Sequence, residues 1–241
     1  MIGNARQLEE EVLRLGFLPF FHNSVRGFSV QERVNPRLWF SDYEEGPWEW
    51  KGPVIRGGRV AYGKLFSGKA AYISLDLFGD FANWRRASLP LGRKIVDPVF
   101  DISEAAILEC IRINGSILSR ELKQYLGMMA PKKRTAFDLP DVSGAGQLPV
   151  TKIRGGLEKV LTALQMQTRV VIQDFEYLVS KNGDNYGWGL ARYTTPEELY
   201  GAEAIAVPDG RTPEESRERL HEHFRRILPG ATDAQIKRFI D

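Results

Sequence analysis

Apolar residues at Leu8, Val12 and Leu15 recur at helical spacing, and Gly16 stands where such a helix would stop. The pattern predicts an opening helix with one buried face. From Phe17-Leu18-Pro19-Phe20-Phe21 to Trp48-Glu49-Trp50 no period holds. Pro36, Pro47 and Pro53 interrupt this region, which reads as ordered loop with short strands. Arg59 to Phe66 and Ala70 to Ser74 then flank Ser67-Gly68-Lys69, a hairpin signature. A helix follows from Asp76 to Arg86, and Pro90, Gly92 and Pro98 mark a boundary near residues 88–101.

A second, cleaner pattern starts at Ile102. Ser103 is placed to cap a helix, with Glu104 beside its positive end and Ile107, Leu108 and Ile111 on its buried stripe. Asn114-Gly115 supplies a left-handed stop. After Ser116-Ile117-Leu118, Ser119 opens a short second helix burying Leu122 and Leu126, and Gly127 ends it. Met128 to Pro149 has no clear period, and its length predicts an exposed, mobile loop. Ile153, Leu157, Val160, Leu161 and Leu164 form the apolar face of a third helix. Arg169 to Val179 reads as a strand, Asn182-Gly183 as a tight turn and Tyr186 to Tyr193 as the returning strand. Helix, short strand, helix, helix and hairpin is the order of a winged helix-turn-helix. Beyond it, Thr212 caps a helix with Leu220, Phe224, Ile227 and Leu228 on one side, and a last helix runs over Thr232 to Ile240. The expected class is α+β. An aromatic-rich α+β N-terminal subdomain spans 1–100, a winged helix-turn-helix module 101–200 and a helical C-terminal tail 201–241.

Composition adds bounds rather than a function. The chain has 241 residues, 43% of them hydrophobic, enough for a core without disulfides. A net charge of +2 does not by itself mark a nucleic-acid binder, so the electrostatic argument has to be local. The lone cysteine, Cys110, excludes a disulfide within the chain and fits a reducing compartment. The polar opening residues lack the apolar core of a signal peptide, and no run is long enough to span a bilayer. A cytoplasmic protein without membrane contact is expected. His22, His221 and His223 have no metal-ligand spacing, and Arg154-Gly155-Gly156 falls inside a predicted helix rather than after a strand. Neither a metal nor a cofactor is expected.

Local charge is more informative. In a winged helix the third helix enters the major groove and the wing follows the backbone. Lys152, Arg154 and Lys159 on that helix are candidates for phosphate or base contacts, with Gly155 and Gly156 allowing close approach. The triplet Lys132-Lys133-Arg134 in the preceding loop and Lys181 beside the wing turn extend the set. Duplex DNA is the expected partner. The alternative is a winged helix used only for packing or for a homodimer. Trp39, Trp48 and Trp50 are open to two readings, as stacking platforms for bases or as core staples. Arg85-Arg86 beside Trp84 is expected to face acidic groups inside the protein while the indole packs.

Gln165-Met166-Gln167 joins the third helix to the wing. With Leu164 and Thr168 around it, and with Asp42-Tyr43-Glu44-Glu45-Gly46-Pro47-Trp48-Glu49-Trp50-Lys51, Ala61-Tyr62-Gly63-Lys64-Leu65-Phe66 and Asn185-Tyr186-Gly187-Trp188-Gly189, it resembles the AlkZ-related branch of the AlkZ/YcaQ-type bacterial winged-helix superfamily. The resemblance covers most of residues 8–200. Glycosylases of that superfamily excise alkylated or cross-linked purines, using a glutamine–any–glutamine motif to position a water at the glycosidic bond. The resemblance therefore implies Gln165 and Gln167 as catalytic candidates. An N7-alkylated purine is already a good leaving group, so a water held by two amides needs no strong acid. In those enzymes the motif lies near the chain start, whereas here it follows the third helix. The alternative is that Gln165 and Gln167 cap the helix and bond the wing. Three functions are therefore carried forward: duplex-DNA binding in repair or regulation, a DNA glycosylase for alkylated purines, and a non-binding interaction or dimerisation module. A pocket reaching Gln165 or Gln167 would favour the second, and a free apolar patch on the tail helix the third.

Overall fold

The computed structural model describes residues 1–41, 43–91, 104–125, 156–179, 185–207 and 210–241. The anticipated loop at 128–149, the Ser103 cap, Leu126, Gly127, Ile153 and the Asn182-Gly183 turn lie outside the described residues.

The opening helix α1 (Ala5–Leu15) buries Leu8, Val12 and Leu15. The Asn4 side chain accepts the Gln7 amide at its start, and Gly16 ends it in the left-handed region at φ 75°. Strand β1 (Phe17–Pro19) follows. The next stretch departs from the sequence expectation. Where loop and short strands were expected, the chain forms α2 (Val30–Arg33), a 3-10 turn over Pro36–Phe40 and the ten-residue helix α3 (Pro47–Arg56). Pro47 occupies the first turn, where no N–H partner is needed, and the Glu49 carboxylate accepts the Gly46 amide at 2.8 Å. Pro53 sits inside the helix, at a cost of about 3 kcal/mol. Burial of Trp50, Val54 and Ile55, about 1.5–3 kcal/mol each, outweighs it. Propensity alone pointed the wrong way because the gain comes from packing.

Strands β2 (Val60–Phe66) and β3 (Lys69–Ser74) form the expected hairpin, and the sheet order is β1-β3-β2, all antiparallel. Its turn places Ser67 and Gly68 at φ 47° and 70°, the two left-handed residues that let a two-residue turn match the strand twist. Helix α4 (Leu75–Ser88) leaves the sheet, two residues longer at its end than expected.

The second block runs α5 (Glu104–Ile113), β4 (Ser116–Leu118), α6 (Ser119–Tyr125), α7 (Gly156–Met166), β5 (Val171–Val179) and β6 (Asn185–Thr194). Its strands form an antiparallel sheet in the order β4-β6-β5. Ile107, Leu108, Ile111 and Leu122 are buried with Leu157, Val160, Leu161 and Leu164 of α7, the stripes expected of them. Helix α8 (Pro196–Tyr200) follows the sheet directly.

The last helices, α9 (Pro213–Ile227) and α10 (Asp233–Ile240), each begin in a reciprocal cap, built on Thr212 with Glu215 and on Thr232 with Gln235. They do not project from the molecule. Phe224 lies 5.6 Å from Phe17 between ring centroids, and Phe239 lies 5.2 Å from Phe28 and 5.0 Å from Phe66. The apolar stripe of α9 is thus spent inside the chain, with Leu220 and Phe224 fully buried. One continuous cluster of buried apolar side chains joins the first sheet, the second block and the last two helices.

Candidate functional site

The junction between the two sheets is where the singled-out residues meet. Helix α7 docks on β2 through its C-terminal half. The Lys64 amide donates to Gln165 Oε1 at 2.9 Å, and Gln165 Nε2 donates to the Leu161 carbonyl at 2.8 Å. Gln165 is fully buried, and its amide is engaged at both ends. Gly63 faces it so closely that a Cβ there would stand 2.9 Å from Gln165 Oε1.

Gln167 is buried as well and turns the other way. Its Nε2 donates to Glu104 Oε2 at 2.9 Å, tying the end of α7 to the first turn of α5. Glu104, expected beside the positive end of that helix, is itself buried. Gln167 Oε1 and Glu104 Oε1 are both buried without a hydrogen-bond partner among the described residues. Just after the glutamines the helix closes on Thr168, at φ 57°, whose amide donates to the Gln165 carbonyl while the Arg169 amide reaches the Leu164 carbonyl. A β-branched residue in the left-handed region is strained, so the surrounding contacts must hold it. The Arg86 guanidinium supplies one, donating to the Thr168 carbonyl at 2.7 Å and pairing with Glu197 at 2.6 Å.

Arg85 differs from expectation. It forms no ion pair among the described residues but is buried completely and donates to the carbonyls of Leu65, Phe239 and Ile240 at 2.7 to 2.8 Å. Burial pulls its pKa down to about 9. The arginine fastens α10 to α4 and β2. Arg86 does meet an acid, Glu197, as expected of it.

Of the cationic candidates, Lys159 lies on the exposed face of α7 and makes no ion pair among the described residues. Its neighbour Glu158 is spoken for by Lys64 at 3.7 Å and Lys123 at 3.3 Å. Lys132, Lys133, Arg134, Lys152, Arg154 and Lys181 lie outside the described residues. Trp39 and Trp50 are buried and Trp48 half-buried. Trp39, edge-on, and Trp48, tilted, pack around Phe20 with ring centroids 5.3 Å away in each case, which is the packing alternative for these residues.

An open cleft of about 580 Å³ lies between α3, β5, β6 and α8, lined by Ile55, Arg56, Gln173, Asp174, Arg192 and Tyr200 among others. Its guanidiniums are already neutralised. Arg56 binds both oxygens of Asp174 at 2.8 and 3.0 Å, and Arg192 binds Glu176 at 2.6 Å. Neither glutamine of the motif lines this cleft.

Sequence reasoning passed over Lys51. It stands on α3, buried, with its ammonium 4.1 Å from the centroid of Phe175 and 4.9 Å from that of Trp48. No carboxylate pairs with it among the described residues. Burial pulls its pKa down to about 8, against a weak opposing pull from Glu49. Trp48 and Lys51 are three residues apart, a same-face spacing that becomes visible only once α3 is known to be a helix.

Among the described residues no group of His, Cys, Asp and Glu side chains is placed to hold a metal ion. No described helix is long and apolar enough to cross a membrane. The profile of the family described as AlkZ related matches residues 2–241. The chain belongs to the AlkZ-related family. No curated protein and no solved structure matches it. Membership in the AlkZ-related family thus covers the N-terminal block and the last helices as well as the Gln165-Met166-Gln167 segment.

Proposed function

We propose that this chain binds duplex DNA through a winged helix made of α5, α6, α7 and the β5–β6 ribbon, in DNA repair or its regulation. The observation that carries the reading is the element order α5, β4, α6, α7, β5, β6, with its three strands in one sheet of order β4-β6-β5. In such a module the third helix reads the groove and the ribbon tracks the backbone. Lys159 on the open face of α7 fits a phosphate contact, and Lys152 and Arg154 extend the same charge along the sequence. Membership in the AlkZ-related family supports the link to repair.

Gln165 and Gln167 are read here as structural. A catalytic water would need both amides at a space large enough for a nucleotide sugar, and Gln165 is buried with both ends occupied. The interaction-module alternative loses its main support because the apolar stripe of α9 is consumed within the chain.

The test is binding measured against salt on plain duplex and on duplex carrying an N7-alkylated purine. Removing Lys152, Arg154 and Lys159 together should weaken binding to all duplexes and flatten the salt dependence, by up to about 0.9 per lost contact. Unchanged binding in that variant would remove α7 from the interface. Release of the alkylated base, lost in Gln165→Ala or Gln167→Ala without loss of stability, would replace this reading with the glycosylase.

A further inference from the structure

The resting state of Lys51 is unusual for a lysine. Its residue is 8% exposed, two aromatic faces flank the ammonium, and no acid neutralises it among the described residues. A charge so placed loses hydration and recovers only the cation–π attraction, about 0.5–2 kcal/mol. A structural staple would be served as well by arginine or an apolar side chain, neither of which carries the cost of a desolvated ammonium. A lysine in such a recess gives up its proton easily and becomes an amine nucleophile, the state from which imines form. With burial drawing its pKa to about 8, roughly one amine in ten is unprotonated at neutral pH, against about one in three thousand at the ordinary 10.5.

The recess is walled but not sealed. Trp48 and Phe175 are half-buried and Tyr177 beside them is partly exposed. The half-buried rings of Trp48 and Phe175 beside the amine suit a ligand with planar groups flanking an electrophilic carbon, because bases stack on such faces without regard to sequence. DNA that has lost a base has this form. The deoxyribose opens to an aldehyde at C1′, and the neighbouring bases flank the gap.

We propose that Lys51 is a nucleophilic amine that captures the C1′ aldehyde of an abasic site in duplex DNA as an imine. This rests on the duplex-binding reading. The Nζ lone pair attacks C1′, and the Nζ–C1′ bond forms. The aldehyde oxygen departs as water with both amine hydrogens, leaving the imine with no change in oxidation state. Such a step consumes the product of base loss. It places the protein after excision rather than at it, consistent with Gln165 and Gln167 being buried and bonded within the fold.

The full chain is incubated with an abasic-site duplex and cyanoborohydride, which reduces an imine to a stable amine, and the adduct is mapped by peptide mass. A covalent adduct on Lys51 is expected. Lys51→Arg, which keeps a cation over the rings, and Lys51→Met should each lower it at least tenfold, with unchanged affinity for intact duplex and a melting temperature showing that both fold. An adduct that persists in both variants, or its absence in a wild-type protein that does bind duplex, would overturn the proposal. A parallel reaction with glyceraldehyde and cyanoborohydride, without DNA, should label Lys51 ahead of the exposed lysines near pH 7. No labelling there would overturn the nucleophile itself. Labelling without binding to any duplex would instead reject the DNA reading and, with it, the abasic substrate.

Discussion

The Lys64 main-chain amide donates to the side-chain oxygen of Gln165 at 2.9 Å, across a separation of 101 residues. This bond joins an interior strand position of the first block to the third helix of the second. The amide of β2 would otherwise face the helix unpaired. Replacing Gln165 by alanine leaves that amide without its acceptor. The expected loss is about 1–3 kcal/mol of unfolding free energy, above the 0.5–1.5 of an average hydrogen bond because the donor is abandoned at a part-buried position under α7. Chemical denaturation with an unchanged slope would check it. A variant as stable as wild type would show that the amide finds water.

Gly63 supplies a second measurement of the same contact. An alanine Cβ there would meet Gln165 Oε1 at 2.9 Å, and that oxygen is fixed by its bond to Lys64. Gly63→Ala should cost about 1–3 kcal/mol by overpacking. In the Gln165→Ala background the same substitution should cost clearly less, because the obstructing oxygen is gone. Strict additivity in the double-mutant cycle would count against the contact.

Arg85 fastens the end of the chain. Arg85→Met removes the donors to Leu65, Phe239 and Ile240 and leaves their carbonyls buried. A loss of about 3 kcal/mol or more is expected, at about 1–3 kcal/mol for each buried carbonyl left without its donor. Hydrogen exchange should locate the loosening in α10 first. Uniform exchange over the chain would contradict this placement.

His223 predicts a pH effect of definite sign. Its Nε2 lies 2.8 Å from the Leu15 carbonyl and must donate, while Nδ1 lies 3.1 Å from the Arg226 guanidinium and must accept. The ring is held neutral, and burial, the largest cause, lowers its pKa below 6.5. The unfolded chain therefore binds the extra proton first. Stability from this residue is present above about pH 6.5 and is lost as pH falls through the lowered folded value. His223→Gln should flatten the fall in unfolding free energy between pH 7.5 and 5.5. An identical slope in both proteins would exclude His223 as its source.

Much of the fold was legible in the sequence because local patterns and burial agree there. Leu8, Val12 and Leu15, the stripe from Leu157 to Leu164, and Thr212 and Thr232 at their caps each state in a few residues what the tertiary structure requires. Ser67-Gly68 announced its turn for the same reason, since the φ values it needs are ones that few residues adopt readily. Helix α3 was not legible. Gly52 and Pro53 inside it argue against a helix locally, and only the burial of Trp50, Val54 and Ile55 reverses that balance. With α3 hidden, Lys51 was hidden too, because its character comes from Phe175, a residue 124 positions away in the chain. The glutamines were visible as a motif but not as a joint. Their partners, Lys64 and Glu104, stand 101 and 63 residues away. Sequence by itself determined the elements whose stabilising contacts lie within a turn or two. The tertiary structure alone decided which polar side chains would be buried and what would pair with them, because desolvation depends on everything that surrounds a group and not on its neighbours in the chain.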